Sequence, residues 1–393
     1  MAEHTLRGPG QLAAPPPLSL YIHLPWCVQK CPYCDFNSHA LRDELPEDAY
    51  IAALLCDLEG ALPQIWGRRV ETVFFGGGTP SLFSPDGMDR LLSEIRARAR
   101  LAPLAEITLE ANPGTLEADR FGAFRAAGIT RLSLGIQSFD ADKLAALGRI
   151  HDAAQARRAA ELAARHFETY NLDLMYALPG QSLADLRRDL DAALGYAPPH
   201  LSYYHLTLEP NTPFGRTPPA HLPDDDVAAD MQALIEARAA QAGYEHYETS
   251  AYARAGQRCR HNLNYWRFGD YLGIGAGAHS KLSLPGGIVR EARVRHPRQY
   301  LEALPGAAPA GHIAERRRVG AAELPFEFMM NALRLSEGAE MDLYAARTGL
   351  PPFSLSAALA RARAQGLMRD DDTRLQATAL GARFLNDLLQ LFL

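Results

Sequence analysis

The amino-acid sequence predicts an α/β protein: an incomplete (β/α) barrel of six units, then a mixed α+β extension and a small winged-helix-like domain. Three observations predict this class. Short β-branched or aromatic runs alternate with helical patterns in the first half of the chain, as in a parallel sheet. Polar residues follow the predicted strands, where the active sites of such sheets lie. A proline-rich bend at 210–223 then ends the alternation.

Six strand–helix units follow one another along the chain. The predicted strands are Leu18–Leu24, Val70–Phe75, Glu106–Glu110, Arg131–Ile136, Tyr170–Met175 and Leu201–Leu208. The helices between them are predicted at Pro46–Leu62, Pro85–Arg100, Leu116–Ala127, Ala141–His166 and Ser182–Leu194. Six units are two short of a full eight-fold barrel, so the predicted barrel is incomplete.

The domain boundaries follow from changes in this pattern. We expect a flexible tail over residues 1–16, the barrel over 17–215, the extension over 216–320 and the winged-helix-like domain over 321–393. Leu222–Asp226 predicts a helix start, because acidic side chains suit the positive end of the helix dipole. Pro305–Gly311 predicts a loop, and Asp370–Asp372 predicts a turn between two extended runs.

Composition and charge narrow the possible functions. The 393 residues are 47% hydrophobic and 22% charged, which is typical of globular proteins with two or three domains. The net charge of −6 predicts no general attraction to nucleic acid or anionic lipid. Met1–Pro17 lacks the apolar run of a signal peptide, and no segment has the length of a membrane span. We therefore expect a cytoplasmic protein.

Three of the five cysteines lie close together, with the spacing C-x₃-C-x₂-C at Cys27, Cys31 and Cys34. Thiolates hold iron–sulfur clusters, normally four to a cluster. Three thiolates without a fourth nearby predict a [4Fe–4S] cluster with one iron open to another ligand. Zinc is the alternative, with His23, His39 or a residue distant in the sequence as a fourth ligand. Disulfides are disfavoured by the odd number of cysteines and the absence of a secretory signal.

A glycine run ends the second predicted strand, in the sequence Gly76-Gly77-Gly78-Thr79. It differs from the glycine motifs that bind dinucleotides and triphosphates. Glycines let a ligand come close to the backbone and reach its N–H groups. Beside the cysteines, this motif predicts a cradle for a small polar ligand, with a tight turn as the alternative.

Polar residues lie within, at the end of or after the later strands, although buried parallel strands should be apolar. They are Glu110, Asn112, Gln137, Arg149 and Asp173. A carboxylate inside a strand is costly unless it is paired or bound by a ligand. Mutual pairing, such as Arg149 with Asp173, is one explanation. As a set at one barrel mouth, these residues predict a site for a ribose and an amino-acid group.

With these motifs the chain resembles the radical S-adenosylmethionine (SAM) superfamily, whose signature is C-x₃-C-x₂-C with an aromatic residue, here Tyr33, before the last cysteine. The resemblance implies an open iron that binds the amino and carboxylate groups of SAM. It also implies that an electron from the cluster cleaves SAM to a 5′-deoxyadenosyl radical. The SAM site that it implies comprises Tyr21, Tyr33, Gly77, Gly78, Thr79, Glu110, Gln137, Arg149 and Asp173. His279 is a further candidate, because the glycines just before it, Gly273, Gly275 and Gly277, let a strand lie close against a ligand.

More narrowly, the chain resembles the coproporphyrinogen III dehydrogenase-like branch over nearly its whole length. The matching segments are Tyr21–Pro25, Gly76–Pro80, Glu110–Pro113, Gly135–Ser138, Arg149 and Asp173–Pro179. In this branch some of the SAM positions contact a second SAM. The dehydrogenases carry a fourth cysteine two residues after the third and a longer N-terminal region. This chain has Phe36 at that position and only 26 residues before Cys27.

A second motif, His261-Asn262-Leu263-Asn264-Tyr265-Trp266, has the form H-N-x-x-Y-W that is typical of the HemW heme chaperones. Imidazole, and less often tyrosinate, ligates heme iron, and tryptophan and tyrosine offer flat faces to a porphyrin. From the residues alone, a buried core turn is the commoner explanation. The resemblance instead implies a heme site at His261, Asn262, Tyr265 and Trp266, with the His261 imidazole as a candidate iron ligand.

The resemblance thus implies a cytoplasmic radical-SAM-type heme chaperone that binds a [4Fe–4S] cluster, SAM and heme. It implies an electron donor such as flavodoxin or ferredoxin, and an acceptor such as a membrane respiratory enzyme, reached at the membrane surface. Whether SAM is cleaved stays open. The first alternative is an oxygen-independent coproporphyrinogen III dehydrogenase, which decarboxylates propionates by radical hydrogen abstraction. The second is an RNA-modifying radical SAM enzyme, which the net charge of −6 disfavours.

Overall fold

A twelve-stranded sheet runs through the protein. The computed structural model describes residues 10–114, 118–303 and 311–393. Three predictions therefore fall wholly or partly outside the described residues: the tail over 1–16, the start of the helix Leu116–Ala127, and most of the loop Pro305–Gly311.

Strands and helices are numbered separately in chain order. Within the described residues the strands are β1 (Leu18–Leu24), β2 (Trp26–Cys27), β3 (His39–Ala40), β4 (Arg69–Gly77), β5 (Arg100–Ala111), β6 (Arg131–Gln137), β7 (Thr169–Tyr176), β8 (His200–His205), β9 (Glu245–Glu248), β10 (Ala251–Ala253), β11 (Asp270–Ile274), β12 (His279–Leu284), β13 (Gly287–Arg293), β14 (Ile313–Arg318), β15 (Ala339–Glu340) and β16 (Arg374–Leu375). The helices are α1 (Glu47–Ile65), α2 (Pro85–Arg98), α3 (Phe121–Ala126), α4 (Ala141–Ala146), α5 (Ala153–His166), α6 (Leu183–Gly195), α7 (Pro213–Arg216), α8 (Asp225–Gln241), α9 (Arg260–Trp266), α10 (Pro297–Ala303), α11 (Leu324–Ala332), α12 (Met341–Thr348), α13 (Ser356–Ala364), α14 (Ala379–Arg383) and α15 (Leu385–Gln390).

The first half of the chain forms the six predicted strand–helix units. Strands β1, β4, β5, β6, β7 and β8 are neighbours in chain order, each parallel to the next. The order across the sheet is β14-β13-β12-β11-β1-β4-β5-β6-β7-β8-β10-β9. The two outer strands of this order are not paired with each other, so the barrel is incomplete within the described part of the chain. The predicted fold class is confirmed.

One predicted helix, Ala141–His166, is divided into α4 and α5. Gly148 adopts a positive φ of 67° just after α4, a conformation that favours glycine. Asp152 then caps α5, because its side chain accepts a hydrogen bond from the Gln155 N–H at 2.8 Å. The break leaves Arg149 on a loop at the barrel mouth, where an unbroken helix would have directed it elsewhere.

The extension lengthens the sheet at both edges, an outcome that the sequence did not predict. Strand β11 pairs in parallel with β1, and β12 to β14 follow it antiparallel. Strands β10 and β9 add to β8 at the other edge. The predicted helix start is confirmed, since the Asp224 side chain caps α8 by accepting from the Val227 N–H at 2.9 Å. The motif with His261 lies on α9.

The C-terminal helices enclose a second core, built mainly from residues 319–392 with Phe268 and Ile288 from the extension. The predicted turn at Asp370–Asp372 closes a hairpin, in which the Arg369 N–H donates to the Gln376 carbonyl at 2.9 Å. The exact division of the chain at residues 216 and 321 stays a prediction. No helix in the described ranges is long and apolar enough to cross a bilayer.

Candidate functional site

The C-terminal ends of the parallel strands surround a cavity of about 380 Å³, here called the cysteine cavity. Active sites of parallel sheets lie at this end. The predicted residues that line it are Cys27, Cys31, Cys34, Tyr33, Gly77, Gly78, Thr79, Glu110, Gln137, Arg149 and Asp173. The three cysteines, the glycine run and the polar strand ends therefore converge on one site, although they are far apart in the sequence.

The segment that carries the three cysteines, residues 27–38, is here called the cysteine loop and is held in shape by hydrogen bonds within it. The Cys34 N–H donates to the Cys31 carbonyl at 3.1 Å, and Lys30 Nζ donates to the carbonyls of Phe36 at 2.9 Å and Ser38 at 3.2 Å. Burial raises the pKa of the Cys27 thiol, and hydrogen bonds with Thr79 and Ser38 offset part of that rise. A bound iron would instead favour the thiolate form.

The donor set suits a cluster. Three thiols face one cavity, and Arg149 Nη1 donates to Cys31 Sγ at 3.4 Å, a contact that favours a thiolate. Within the described ranges, no three Cys, His, Asp or Glu side chains are grouped closely enough to hold one metal ion. A [4Fe–4S] cluster does not require such convergence, because each thiolate bonds a different iron.

The glycine run packs closely against neighbouring parts of the chain. Gly77 has a φ of +120°, and a Cβ there would press against the His23 ring. A Cβ on Gly78 would collide with the Trp26 carbonyl. The Gly77 N–H donates to Glu110 Oε2 at 3.1 Å. The Gly78 N–H donates to the Leu24 carbonyl at 2.9 Å, and the Thr79 N–H donates to the Trp26 carbonyl at 2.7 Å. The prediction that these N–H groups are free for a ligand is therefore wrong; the run packs the end of β4 against the cysteine loop.

Two carboxyl groups face the cysteine cavity without an ion-pair partner among the described residues. Burial and the nearby Asp173 carboxylate raise the pKa of Glu110 to about 7. Burial also raises the pKa of Asp173, against the effect of hydrogen bonds from Ser133 and Asn171. Such shifts are typical of sites that bind a cation or hydrogen-bond donors.

Arg149 does not pair with Asp173; within the predicted polar set it pairs with Asn112 instead. Its Nη2 donates to Asn112 Oδ1 at 2.6 Å and to the Gly135 carbonyl at 2.9 Å. Asn112 in turn donates to Thr79 Oγ1 at 2.8 Å. Arg149 thereby ties the cysteine loop to the ends of β4, β5 and β6.

Gln137 is held in an unfavourable backbone conformation at the end of β6. Its φ is +65°, in the left-handed region that side chains with a Cβ avoid. Such residues cost about 1–3 kcal/mol and are concentrated at functional sites. The side chain lines the cysteine cavity, so the strained conformation aims it there.

A second cavity, of about 500 Å³, adjoins the first and is here called the aromatic cavity. The two share Phe36, Gly77 and Glu110. Four predicted site residues, Tyr21, Tyr265, Trp266 and His279, line the aromatic cavity and not the cysteine cavity. Sequence reasoning missed the other main contributors, which are Asn37, Phe268, Tyr271, Lys281, Arg290, Arg295 and Asn331.

His261 is a buried histidine whose two ring nitrogens are both engaged. Nδ1 lies 2.8 Å from Thr72 Oγ1 and Nε2 lies 2.9 Å from the Tyr265 hydroxyl. Since Thr72 donates to Ser19, the arrangement that satisfies every atom has Nδ1–H donating to Thr72 and Nε2 accepting from Tyr265. Burial lowers the pKa of His261 to about 3, so the ring is neutral.

The predicted role of His261 as an iron ligand does not fit this geometry. The imidazole fastens α9 to β4 and holds the Tyr265 hydroxyl, and Asn264 adds hydrogen bonds to Ser19 and to the Asp270 carbonyl. Asn262 lines neither cavity. The motif therefore places the Tyr265 and Trp266 rings in the cavity wall. The indole N–H of Trp266 has no hydrogen-bond partner within the described ranges.

Comparisons with known proteins agree with this site. Residues 21–193 match the Radical SAM superfamily and residues 320–384 match the HemN C-terminal domain. Fold and cysteine site thus define a radical SAM protein.

The chain is 52% identical to "Heme chaperone HemW" of Escherichia coli, over 96% of this chain and 98% of that protein. It is 48% identical to the protein of the same name from Haemophilus influenzae, over 96% of this chain and 98% of that protein. The chain belongs to the HemW heme chaperone family.

A solved structure supports the fold. The coproporphyrinogen III oxidase HemN from Escherichia coli, described as a radical SAM enzyme, superposes with a TM-score of 0.81. The match covers 96% of this chain and 90% of that chain at 23% sequence identity. At this identity the likeness concerns the fold. The matched Radical SAM domain implies a [4Fe–4S] cluster and SAM as cofactors.

Proposed function

We propose that this protein is a heme chaperone that holds a [4Fe–4S] cluster and SAM in the cysteine cavity and heme in the aromatic cavity. The observation that carries the proposal is the pair of adjoining cavities with Phe36, Gly77 and Glu110 in their common wall. The relatives that cover almost the whole chain are named heme chaperones, which supports heme as the cargo.

In the cysteine cavity, Cys27, Cys31 and Cys34 are the proposed cluster ligands, and Arg149 stabilises the Cys31 thiolate by its hydrogen bond. When bound, the cluster supplies an open iron and an electron. SAM carries an ammonium and a sulfonium cation and a ribose diol. The carboxyls of Glu110 and Asp173, which have no ion-pair partner among the described residues, suit these groups. A carboxylate accepts hydrogen bonds from an ammonium or a hydroxyl group, and its charge attracts the sulfonium cation.

In the aromatic cavity, the rings of Phe36, Tyr265, Trp266 and Tyr271 offer apolar surface to a porphyrin. The cavity also contains Lys281, Arg290 and Arg295. Its volume of about 500 Å³ is within the range of sites for large cofactors. Propionate groups are anionic, so basic residues beside aromatic walls match both parts of heme.

A heme chaperone passes its heme to a partner protein. We propose that an acceptor protein takes the heme, and that a membrane respiratory enzyme at the cytoplasmic surface is such an acceptor. An electron donor such as flavodoxin or ferredoxin would reduce the cluster. Phe36 replaces the fourth cysteine of the dehydrogenases, and its side chain is 64% exposed between the two cavities, which favours the chaperone over coproporphyrinogen III decarboxylation.

Hemin binding distinguishes the chaperone from the dehydrogenase. We expect the purified protein to retain hemin through gel filtration, with a Soret band, and to form no protoporphyrinogen IX from coproporphyrinogen III with SAM and a reductant. Trp266→Leu should weaken hemin binding several-fold, because a lost aromatic contact costs about 1 kcal/mol.

The matched control is Trp66→Leu, since Trp66 is 81% exposed at the end of α1 and lines neither cavity. Its hemin affinity should equal that of the unchanged protein. Formation of protoporphyrinogen IX, combined with loss of hemin on the column, would replace the chaperone by the dehydrogenase.

A further inference from the structure

Seven side chains in the wall of the aromatic cavity carry an atom of the kind that ligates heme iron: a histidine nitrogen, a tyrosine or carboxylate oxygen, or a lysine nitrogen. They are Tyr21, His23, Glu110, Tyr265, Tyr271, His279 and Lys281. Apart from His279, each of them makes a hydrogen bond or ion pair within the chain. A heme iron binds most readily to an atom that has no other partner. The contacts of these seven residues therefore indicate which of them is the best candidate for the iron ligand.

The second cavity histidine, His23, is fully engaged. Its Nδ1 lies 2.9 Å from the Tyr21 hydroxyl and its Nε2 lies 2.8 Å from the Asn37 carbonyl. Because a carbonyl only accepts, Nε2 carries the proton and Nδ1 accepts from Tyr21. Both ring nitrogens of His23 and the hydroxyl of Tyr21 are therefore engaged in hydrogen bonds.

The remaining side chains are also bonded. Tyr265 donates to His261, Tyr271 accepts from Arg290 Nη1 at 2.7 Å, and Glu110 accepts from the Gly77 N–H. Lys281 is buried and donates to Asp270 Oδ1 at 3.1 Å and to the Phe268 carbonyl at 2.9 Å. Tyr265, Tyr271 and Lys281 would each have to give up a buried hydrogen-bond partner to bind a heme iron. Glu110 lies in the wall shared with the cysteine cavity, where its carboxyl is proposed to bind SAM.

His279 differs from all of these. Its side chain is exposed and makes no hydrogen bond or ion pair with a described residue. Burial of part of the ring, with the charges of Arg295 and Arg290 nearby, lowers the pKa of His279. The imidazole is therefore neutral at pH 7, which is the form that binds a metal.

The backbone that carries His279 is fixed. His279 begins β12 opposite Ala292 of β13, and the preceding turn is closed by the Ala278 N–H, which donates to the Gly275 carbonyl at 3.0 Å. Asn37 of the cysteine loop donates to the carbonyls of Ala276 and Arg295, both at 2.9 Å. The turn is thus tied directly to the cysteine loop, which places the imidazole at a defined point of the wall.

We propose that His279 is the axial ligand of heme iron in the aromatic cavity, with Arg295 beside it for a propionate group. Like His279, the Arg295 side chain is exposed and has no ion-pair partner in the described part of the chain. His261 then acts at a distance, by holding Tyr265 in the wall. This assignment rests on the proposed heme function and names its ligand.

The test uses the full chain, hemin as the probe, and exogenous imidazole. His279→Gly should lose the Soret position and the ferric electron paramagnetic resonance signal of the unchanged protein. Because His279 is exposed, imidazole in the buffer reaches the vacated position and should restore both signals. A residue with a merely structural role would not be replaced by free imidazole. His261→Asn should weaken hemin binding and leave the ligand-field signal of the bound fraction unchanged.

Three outcomes would overturn the assignment of His279. One is a His279→Gly spectrum identical to that of the unchanged protein. The second is a changed spectrum that imidazole does not restore, and the third is a ligand-field change confined to His261→Asn. Failure of the unchanged protein to retain hemin is a different result, because it removes the proposed function together with its ligand.

Discussion

Cys31→Ala is expected to abolish the iron–sulfur cluster. The unchanged protein, reconstituted anaerobically, should contain about four iron and four sulfide per chain, with the broad visible absorption of thiolate-bound clusters. With Cys31 removed, only Cys27 and Cys34 remain in the cavity, and two thiolates cannot hold a cluster that normally has four ligands. Arg149 also loses the sulfur to which it donates. Iron and sulfide analysis and absorption spectroscopy measure the loss.

Cys56→Ala is the control for this experiment. Cys56 is exposed on α1 and does not line the cysteine cavity, so its removal should leave the iron and sulfide content unchanged. Stoichiometric zinc without iron in the unchanged protein would contradict the cluster and restore the zinc site as the better explanation.

Glu110→Gln is expected to weaken SAM binding by about tenfold to a hundredfold and to leave the cluster intact. The substitution keeps the shape of the side chain and removes its negative charge, and a hydrogen bond to a charged group contributes about 1.5–3 kcal/mol. SAM titration followed through the electron paramagnetic resonance spectrum of the reduced cluster gives the affinity. Asp173→Asn should act in the same direction, since both carboxyls face the cavity.

The matched control is Glu161→Gln, on the exposed face of α5, which should bind SAM like the unchanged protein. A spectrum that saturating SAM leaves unchanged in the unmodified protein would show that SAM does not reach the cluster. Equal affinities of the Glu110→Gln and unmodified proteins would show that the carboxyl has no part in binding.

Local patterns predicted the barrel and the cysteine cavity because each signal lies within a short stretch of chain. Strand β1 has the predicted bounds, Leu18–Leu24, and is rich in leucine, isoleucine and tyrosine. Parallel strands align their C-terminal ends, so residues that follow separate strands had to meet. This rule brought Glu110, Gln137 and Asp173 to the cysteines without any knowledge of contacts.

The aromatic cavity could not be predicted in the same way. Three of its residues lie in or just after the antiparallel strands β11 to β13: Tyr271, Arg290 and Arg295. The pairing of these strands cannot be recognised from a short stretch of sequence. The motif with His261 was visible, but its geometry was not. An imidazole bonded to Thr72 at one nitrogen and Tyr265 at the other is indistinguishable in sequence from a free one. The division of Ala141–His166 was also missed, because Gly148 is tolerated within helices at a modest cost.

The central claim is that one chain holds a cluster and a heme in separate, adjoining cavities. The most direct measurement is the iron, sulfide and heme content of the protein after anaerobic cluster reconstitution, loading with hemin and gel filtration. The account predicts about four non-heme iron, four sulfide and one heme per chain in the same fraction. Two results would contradict it: heme that elutes separately from the protein, or heme binding that occurs only when the protein loses its cluster iron.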